Sequence, residues 1–219
     1  MDYDDLQITL LGHASVRIET GDGTVIYLDP WHSVVAGEPG DGDLVLVTHD
    51  DADHYDPEGI EAVAGPDVTV AVYEAIDTGD LDVDVVELAY DGETTVDGIG
   101  VRSIPAYNDP DGERVDDDGT PFHPPGEGIG LLLTIGDTTV LYPSDTDFLE
   151  HHEALTAAVF IPPIGGHYTM DRHDAAAFAR HLEPELVLPV HYDTFEAIET
   201  DVGAFADELR EGGIDIELG

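Results

Sequence analysis

Apolar residues recur along the whole chain in short runs, and most of these runs favour strands over helices. Residues 43–48 form a nearly continuous apolar run, which is typical of a strand buried on both faces. The other runs are bounded by glycine, proline or aspartate, as short strands commonly are. Strands are therefore expected at residues 6–11, 14–20, 24–29, 43–48, 68–72, 83–88, 93–97, 99–104, 129–135, 137–142, 157–161, 185–190 and 214–218.

Helices are predicted where capping residues precede an apolar face of helical period. Asp56-Pro57 provides an N-cap followed by proline at the first helical position, and Gly65-Pro66 is expected to end that short helix. Asp171 is expected to cap a second helix over residues 172–182. A third helix is predicted over residues 200–211.

One long polar segment, residues 108–128, contains four prolines and a run of aspartates and predicts a loop. Loops of this length inside a compact domain are often functional. No low-complexity linker divides the chain, and strands and helices mix in both halves. We therefore predict one α/β domain over residues 1–219, built from two sheets covered by helices.

The charge of the chain sets the conditions in which it is expected to fold. It has 219 residues, with 50 Asp and Glu against 6 Arg and no Lys, and a formal net charge of -44. A charge of this size destabilises a compact state by self-repulsion. At molar salt the Debye length is only about 3 Å, so surface carboxylates hardly interact. Because 42% of the residues are hydrophobic, we expect a folded protein of a halophile's cytoplasm rather than a disordered acidic chain.

Several classes of partner are excluded by this composition. Nucleic acids and anionic membrane surfaces both require a basic face, which six arginines do not readily supply. The chain has no cysteine, so it has neither a disulfide nor a thiolate metal site. Its acidic start does not resemble a signal peptide, and no apolar run is long enough to span a membrane. We expect a small-molecule substrate, and a homo-oligomer is compatible with the sequence.

Candidate chemistry concentrates directly after the buried strand at residues 43–48. His49, Asp51, Asp53 and His54 are four possible ligands within six residues. A turn between a strand and a helix can direct such side chains into one space. Imidazole and carboxylate together suit zinc, manganese or iron. The segment therefore predicts a metal site.

These residues resemble the Thr-His-x-His-x-Asp-His signature of the metallo-β-lactamase superfamily, with Thr48, His49, Asp53 and His54 matching it. Further blocks follow in the expected order and resemble the UlaG-like branch of predicted zinc-dependent hydrolases. They are Leu11-Gly12-His13-Ala14-Ser15, Leu28-Asp29-Pro30-Trp31, Pro105-Ala106-Tyr107-Asn108, Phe122-His123-Pro124, Ser144-Asp145-Thr146-Asp147, Gly165-Gly166-His167-Tyr168-Thr169-Met170-Asp171 and Pro189-Val190-His191-Tyr192. The resemblance thus spans nearly the whole chain.

The resemblance implies a four-layer αββα sandwich with one or two divalent metal ions, zinc in the first place and manganese or iron as alternatives. His49 would bind the first ion, Asp53, His54 and His191 would bind the second, and Asp145 would bridge them. A metal-activated water would be the nucleophile, and Asp53 would also orient it, which makes Asp53 the expected catalytic residue. The implied substrate is a small-molecule ester, lactone or phosphoester.

The sequence departs from this pattern at two positions. Asp51 replaces the second histidine of the signature, and Asn108 occupies the usual position of a further histidine ligand. Asp51 can still bind a metal ion, and His123 on the long loop can replace the missing imidazole. If neither reaches the metal, the alternative is a catalytically impaired module of the same fold with a binding or structural role.

Other residues of the matching blocks are expected to support the site rather than to bind metal. Asp29 is expected to hold the distal nitrogen of a ligand histidine, and His13 to have a supporting role. His167 and Tyr168 lie just before a predicted helix and are expected to line the pocket, and Asn108 is expected to belong to the pocket or to support the ligands.

Overall fold

The computed structural model describes residues 1–218, and Gly219, the last residue of the predicted domain, lies outside the described residues. Two sheets contain all the assigned strands of this described part. The first sheet has seven strands in sequential order. They are β1 (Asp2–Tyr3), β2 (Leu6–Gly12), β3 (Ser15–Thr20), β4 (Val25–Leu28), β5 (Gly42–Val47), β6 (Ala64–Tyr73) and β7 (Val85–Leu88). β1 to β4 are antiparallel, and β4 to β7 are parallel.

The second sheet has six strands in the order β13-β12-β11-β10-β9-β8. They are β8 (Gly92–Val96), β9 (Ile99–Ala106), β10 (Gly128–Ile135), β11 (Thr138–Tyr142), β12 (Val159–Phe160) and β13 (Leu186–Val187). β8 to β11 pair antiparallel, and β11 to β13 pair parallel. Both sheets are therefore mixed.

Three helices cover the sheets: α1 (Pro57–Val63), α2 (Arg172–Leu182) and α3 (Val202–Glu211). Short 3-10 helical turns occur at Glu150–Ala154 and Glu196–Ile198. The predicted caps are present, since the side chain of Asp56 accepts from the Glu58 N–H and that of Asp171 from the N–H groups of His173 and Asp174. These interactions satisfy N–H groups that the first helical turn leaves free.

Two hydrophobic cores hold the layers together. The larger lies between the sheets and includes Ile18, Leu46, Leu131 and Val140, none of which is exposed to solvent. α1 contributes Ile60 and Val63 to this core. α2 and α3 pack on the second sheet through a separate core that contains Phe160, Phe178 and Phe205. This arrangement confirms the predicted αββα sandwich.

The strand predictions near the C-terminus were too long. The predicted strand 214–218 is only an isolated bridge between Ile216 and Val187. The predicted strand 185–190 is reduced to Leu186–Val187, partly because Pro189 has no N–H to donate. The helix α1 ends at Val63, and β6 begins at once at Ala64, so that Gly65 and Pro66 lie in a strand. The long loop was predicted correctly, because no helix or strand is assigned between Ala106 and Gly128.

Several chain reversals converge at one edge of the sandwich. Asp29 follows β4, and His49 follows β5, the parallel neighbour of β4 in the first sheet. The carboxyl ends of parallel strands meet at the same edge. From the second sheet, the segments after β11 and β13 bring Ser144 and His191. Asp29, Ser144 and His191 have φ of 42°, 59° and 54°, a strained region that non-glycine residues seldom adopt and that often marks functional sites.

No helix among residues 1–218 combines the length and the apolar character needed to cross a membrane.

Candidate metal centre

The carboxylate of Asp145 lies at the middle of four imidazole rings. Its Oδ2 is 3.1 Å from His191 Nε2, 3.4 Å from His123 Nε2 and 4.0 Å from His49 Nε2. Its Oδ1 is 3.4 Å from His54 Nε2. The Asp145 side chain is only 5% exposed. A buried carboxylate surrounded by imidazole nitrogens is what a ligand shared by two metal ions would require, and the bridging role that the resemblance implies for Asp145 stays a prediction.

Possible ligand atoms group into two lobes that meet at His54 and Asp145. In each group the ligand atoms lie within 4.8 Å of one another. One lobe comprises His13, Asp53, His54 and His191, the other comprises His49, Asp51 and His123, and His49, His54 and Asp145 form the group between them. The sequence-predicted ligands are thus brought together, with Asp51 and His123 in the same lobe.

The side chain of Asp29 is fully buried and orients His54 directly and His49 through Thr48. Its Oδ2 lies 2.7 Å from His54 Nδ1 and accepts from Thr48 Oγ1 at 2.7 Å and from the Tyr142 hydroxyl at 2.8 Å. Thr48 Oγ1 lies in turn 3.0 Å from His49 Nδ1. When Nδ1 is held in this way, the Nε2 lone pair is directed into the centre. The supporting role predicted for Asp29 is consistent with these contacts.

Asn108 connects the long loop to the segment before α2. Its Oδ1 accepts from the His123 backbone N–H at 2.9 Å, and its Nδ2 donates to the Tyr168 carbonyl at 2.8 Å. The Nδ1 of His123 lies 3.2 Å from the same carbonyl, so that its Nε2 faces Asp51 and Asp145. Asn108 therefore positions His123 and contributes no side-chain atom to the ligand groups.

Arg114 holds the long loop from its other side. Its Nη1 lies 2.9 Å from Asp147 Oδ1, and its Nη2 donates to Asp174 at the start of α2. Asp147 Oδ2 also accepts from the Asp109 N–H at 2.9 Å, although burial raises the pKa of the Asp147 carboxyl. The loop that carries His123 is thus held on both sides by polar contacts, none of which was predicted from the sequence.

Three buried imidazole nitrogens have no hydrogen-bond partner within residues 1–218. They are Nε2 of His49, Nε2 of His54 and Nδ1 of His191. A buried polar atom without a partner is costly unless something else occupies the position it faces. The two Nε2 atoms lie 4.0 and 3.4 Å from oxygens of the Asp145 carboxylate and make no hydrogen bond to it, and a cation held by these groups would satisfy them. The donor set fits a divalent metal.

The charges of Asp145 and of the imidazoles around it stabilise one another. Burial opposes ionisation of Asp145, but the imidazoles of His191 and His54 outweigh burial and hold its pKa well below the ordinary value. Burial also disfavours a charged His54, yet Asp145 and Asp29 outweigh it and raise the His54 pKa well above the ordinary value. An environment that favours a cationic imidazole between two carboxylates would equally favour a metal cation, and metal binding would displace that proton.

The two remaining acids remain ionised at neutral pH. The neighbouring imidazoles of His123 and then of His49 lower the pKa of Asp51 far below its ordinary range. For Asp53, burial raises the pKa, but the hydrogen bond from His13 helps to lower it to about 2. Burial lowers the pKa of His13 itself. Both carboxylates are therefore available as anionic ligands.

His13 faces the centre more directly than the sequence suggested. Its Nδ1 lies 3.0 Å from Thr194 Oγ1, and its Nε2 lies 2.7 Å from Asp53 Oδ2. This placement agrees with the predicted supporting role. It also puts Nε2 within ligand distance of His54 and His191.

A cavity of about 310 Å³ opens directly onto the centre. It is lined by Asp51, Asp53, Phe122, His123, Asp145, Tyr168, His191 and Phe195. Tyr168 lines the cavity as predicted. His167 is exposed, and its ring packs beside the lining residues Phe122 and Tyr168 at centroid distances of 5.2 and 4.4 Å, so its pocket role stays a prediction.

Two aromatic residues of the cavity, Phe122 and Phe195, were not predicted from the sequence. Phe122 precedes His123 on the long loop, and Phe195 follows His191 by four residues. Adjacency to the ligands was the only available signal, since nothing in the local pattern distinguishes an aromatic side chain of a cavity from one of a core.

Comparisons with known proteins identify the family of the chain. The family model of the β-lactamase superfamily domain matches residues 7–191. A UPF0173 metal-dependent hydrolase of Methanopyrus kandleri is 33% identical, over 97% of this chain and 95% of its own length.

Solved structures show the same fold. Igni18, a metallo hydrolase from Ignicoccus hospitalis, superposes with a TM-score of 0.79 at 25% identity, covering 98% of this chain and 94% of its own. The metallo-β-lactamase fold protein YhfI of Bacillus subtilis gives a TM-score of 0.71 at 14% identity, over 95% and 88% of the two chains. The present chain therefore belongs to the UPF0173 metal-dependent hydrolases of the metallo-β-lactamase superfamily.

Proposed function

We propose that this protein hydrolyses a small-molecule ester, lactone or phosphoester with a water molecule activated by two divalent metal ions. The observation that carries the proposal is the convergence of imidazole and carboxylate groups on Asp145, with the Nε2 atoms of His49 and His54 buried and without hydrogen-bond partners. Zinc is the ion that we propose first, because mixed nitrogen and oxygen ligands suit it, and manganese or iron are alternatives.

Each lobe of the centre would hold one ion. His49, Asp51 and His123 would bind the first, Asp53, His54 and His191 would bind the second, and Asp145 would contact both. When bound, such ions lower the pKa of water and polarise the oxygen of a carbonyl or phosphoryl group.

The protein's own groups would position the water and the substrate. Asp53 borders the cavity, and its Oδ2 is held by His13 at 2.7 Å, so its carboxylate has a fixed orientation. A fixed carboxylate at this position can orient the attacking water and accept its proton. Phe122, Tyr168 and Phe195 line the cavity, and their rings would limit the contact of bulk water with the centre.

The placement of Asp51 supports an enzyme over the impaired module. Its Oδ2 lies 3.2 Å from His123 Nε2 and 3.5 Å from His49 Nε2, so neither Asp51 nor His123 points away from the site. Asp51, which replaces the second histidine of the signature, and His123 thus belong to the same lobe. A module that had lost its chemistry would have no need for an ionised carboxylate and an oriented imidazole at this position.

The proposal is tested by hydrolysis of a simple panel at molar salt: benzyl acetate, a γ-lactone and bis(4-nitrophenyl) phosphate. Protein stripped with a chelator should be inactive, and zinc or manganese should restore at least one activity. His191→Ala and Asp145→Asn should abolish it, because each removes a group from the centre. Asp41→Asn, which alters a carboxylate bonded to Arg17 and Tyr27, serves as the control. No hydrolysis by folded, metal-loaded protein on any substrate would favour the module.

A further inference from the structure

We infer that the preferred substrate is an uncharged ester or lactone with an aromatic or bulky apolar group, which packs against Phe122, Tyr168 and Phe195 beside the metal centre. This inference rests on the proposed hydrolytic function. It narrows the substrate class and disfavours phosphoesters and substrates that carry an additional anionic group.

Aromatic rings from three separate segments meet at the cavity. Phe122 belongs to the loop between β9 and β10, Tyr168 to the segment before α2, and Phe195 to the segment after β13. The rings of Phe122 and Tyr168 meet edge to face with centroids 4.9 Å apart, and those of Tyr168 and Phe195 are 6.5 Å apart. Phe195 is 39% exposed, so much of its apolar surface is free to contact a ligand. Cavities that combine apolar walls with a few convergent polar groups are typical of small-molecule sites.

These rings lie next to groups of the metal centre. Tyr168 offers its carbonyl to His123 Nδ1 at 3.2 Å, and Phe122 directly precedes His123 in the chain. The Phe195 ring lies 5.6 Å from the ring of His13, which holds Asp53. An apolar group among the three rings would therefore lie immediately beside the bond to be hydrolysed, attached to either the acyl or the alcohol part.

No lysine or arginine borders this cavity in the part of the chain that the structure describes. The chain has no lysine, and Arg102 lies exposed on β9. The other arginines each contact a carboxylate away from the cavity lining. They are Arg17, Arg114, Arg172, Arg180 and Arg210. A substrate with a carboxylate or phosphate outside the reacting group would find no side-chain counterion here.

The charge of the centre itself favours a neutral substrate. Asp51, Asp53 and Asp145 bring three carboxylates to it, so two divalent ions leave one positive charge, which falls to zero once the attacking water has lost its proton. A histidine in place of Asp51 would leave one more positive charge. An additional anionic group on the substrate is therefore disfavoured at the centre itself, where the molar salt that screens the surface charge does not penetrate.

Three esters separate the aromatic contribution from the charge contribution: benzyl acetate, ethyl acetate and monobenzyl succinate. The first two differ mainly in the ring, and the third adds a carboxylate to a benzyl ester. For metal-loaded protein at molar salt we expect kcat/KM for benzyl acetate to exceed that for ethyl acetate by about tenfold or more, the size of effect that burial of an aromatic ring gives. It should also exceed kcat/KM for monobenzyl succinate, because the added carboxylate finds no counterion beside the cavity. Phe122→Ala and Phe195→Ala should bring the ratio of benzyl to ethyl acetate towards one. Val86→Ala, which shortens an exposed side chain on β7, should leave that ratio unchanged.

A binding experiment separates failure of this inference from failure of the proposed function. Benzohydroxamate and acetohydroxamate share the metal-binding group and differ in the ring, and calorimetry measures their affinities without turnover. About tenfold tighter binding of benzohydroxamate, lost in Phe122→Ala, would support the aromatic site even if no ester were hydrolysed. The inference would be overturned if the two hydroxamates bound equally well or not at all. It would also be overturned by equal rates for benzyl and ethyl acetate or by a preference for monobenzyl succinate. Hydrolysis of benzyl and ethyl acetate at equal rates would leave the proposed function intact.

Discussion

At the residue scale, Asp29 shows how a side chain that binds no metal can define a metal centre. It is fully buried between the sheets, and its carboxylate contacts His54, Thr48 and Tyr142. An ionised group in such a place is costly unless it is well bonded. Here the bonds fix the orientation of the imidazole of His54, whose Nε2 then has no partner except the centre itself.

Asp29→Asn should weaken metal binding without removing any ligand. The amide keeps the size of the side chain but loses the negative charge that holds His54 Nδ1. Replacement of such partners of ligand histidines typically lowers metal affinity by about 10- to 100-fold. Competition with a chelator measures the loss, with Asp41→Asn as the control. Unchanged affinity in a folded Asp29→Asn protein would contradict the role given to Asp29.

Away from the metal centre, the buried side chain of His152 should make the free energy of unfolding depend on pH. It is buried against Phe178, and burial together with the neighbouring His151 lowers its pKa to about 3. An unfolded histidine has a pKa of about 6.5. Above that pH both states are neutral. As the pH falls towards 3, only the unfolded state takes up the proton, so the free energy of unfolding decreases.

His152→Phe keeps a ring at this position and removes the titration. The variant should lose less stability than the parent between pH 6.5 and 4.5, by about 2 kcal/mol. Denaturant unfolding at several pH values measures the difference. His173→Asn, which removes an exposed imidazole on α2, should keep the parent's pH dependence. If the free energies of unfolding of His152→Phe and of the parent fell in parallel with pH, the role given to His152 would be refuted.

At the element scale, the metal centre depends on a loop rather than on a strand. Most predicted ligands lie directly after strands, where the sheet architecture brings them to one edge. His123 lies instead on the long loop between β9 and β10 and reaches the centre through contacts of Asn108 and Arg114. Correct placement of His123 therefore depends on how firmly this loop is held.

Arg114→Gln should loosen the loop and weaken the first lobe of the centre selectively. The substitution breaks the contacts with Asp147 and Asp174, and we expect a loss of about 2 kcal/mol in the free energy of unfolding, because a largely buried carboxylate loses its partner. One metal equivalent should bind more weakly while the other is retained. Titration of metal into stripped protein measures both affinities.

The matched control is Arg180→Gln, which breaks a more exposed pair with Glu208. Such surface pairs contribute about 0–1 kcal/mol, so the control should bind metal like the parent. Equal weakening of both metal equivalents in Arg114→Gln would show that the loop does not act through His123 alone.

The contrast between ligands at strand ends and a ligand on a loop explains which features the sequence could predict and which it could not. The αββα fold and the groups around His49, Asp53, Asp145 and His191 follow from ordered motifs that each lie next to a strand. Of the aromatic lining of the cavity only Tyr168 was predicted, since Phe122 and Phe195 come from separate segments whose positions relative to Tyr168 are set only by tertiary contacts. The bond between Arg114 and Asp147 joins residues distant in sequence, and local patterns carry no information about such pairs.

At the scale of the whole molecule, the net charge of -44 predicts that folding depends on salt. We expect the protein to unfold cooperatively as molar potassium chloride is diluted to millimolar concentration, because the Debye length grows from about 3 Å to beyond 30 Å and the carboxylates then repel one another. Circular dichroism follows the transition, and sucrose at equal osmolarity is the control for volume exclusion. A native spectrum in millimolar salt would contradict this prediction, and with it the proposal of a salt-rich cytoplasm.

The most direct test of the account is the metal content of the intact protein. Elemental analysis of protein purified at molar salt without chelators should give two equivalents of zinc, manganese or iron per chain, one for each lobe joined by Asp145. His123→Ala should retain one equivalent, because it removes a ligand of one lobe only. A folded protein that contains no metal and binds none when it is added would contradict the account.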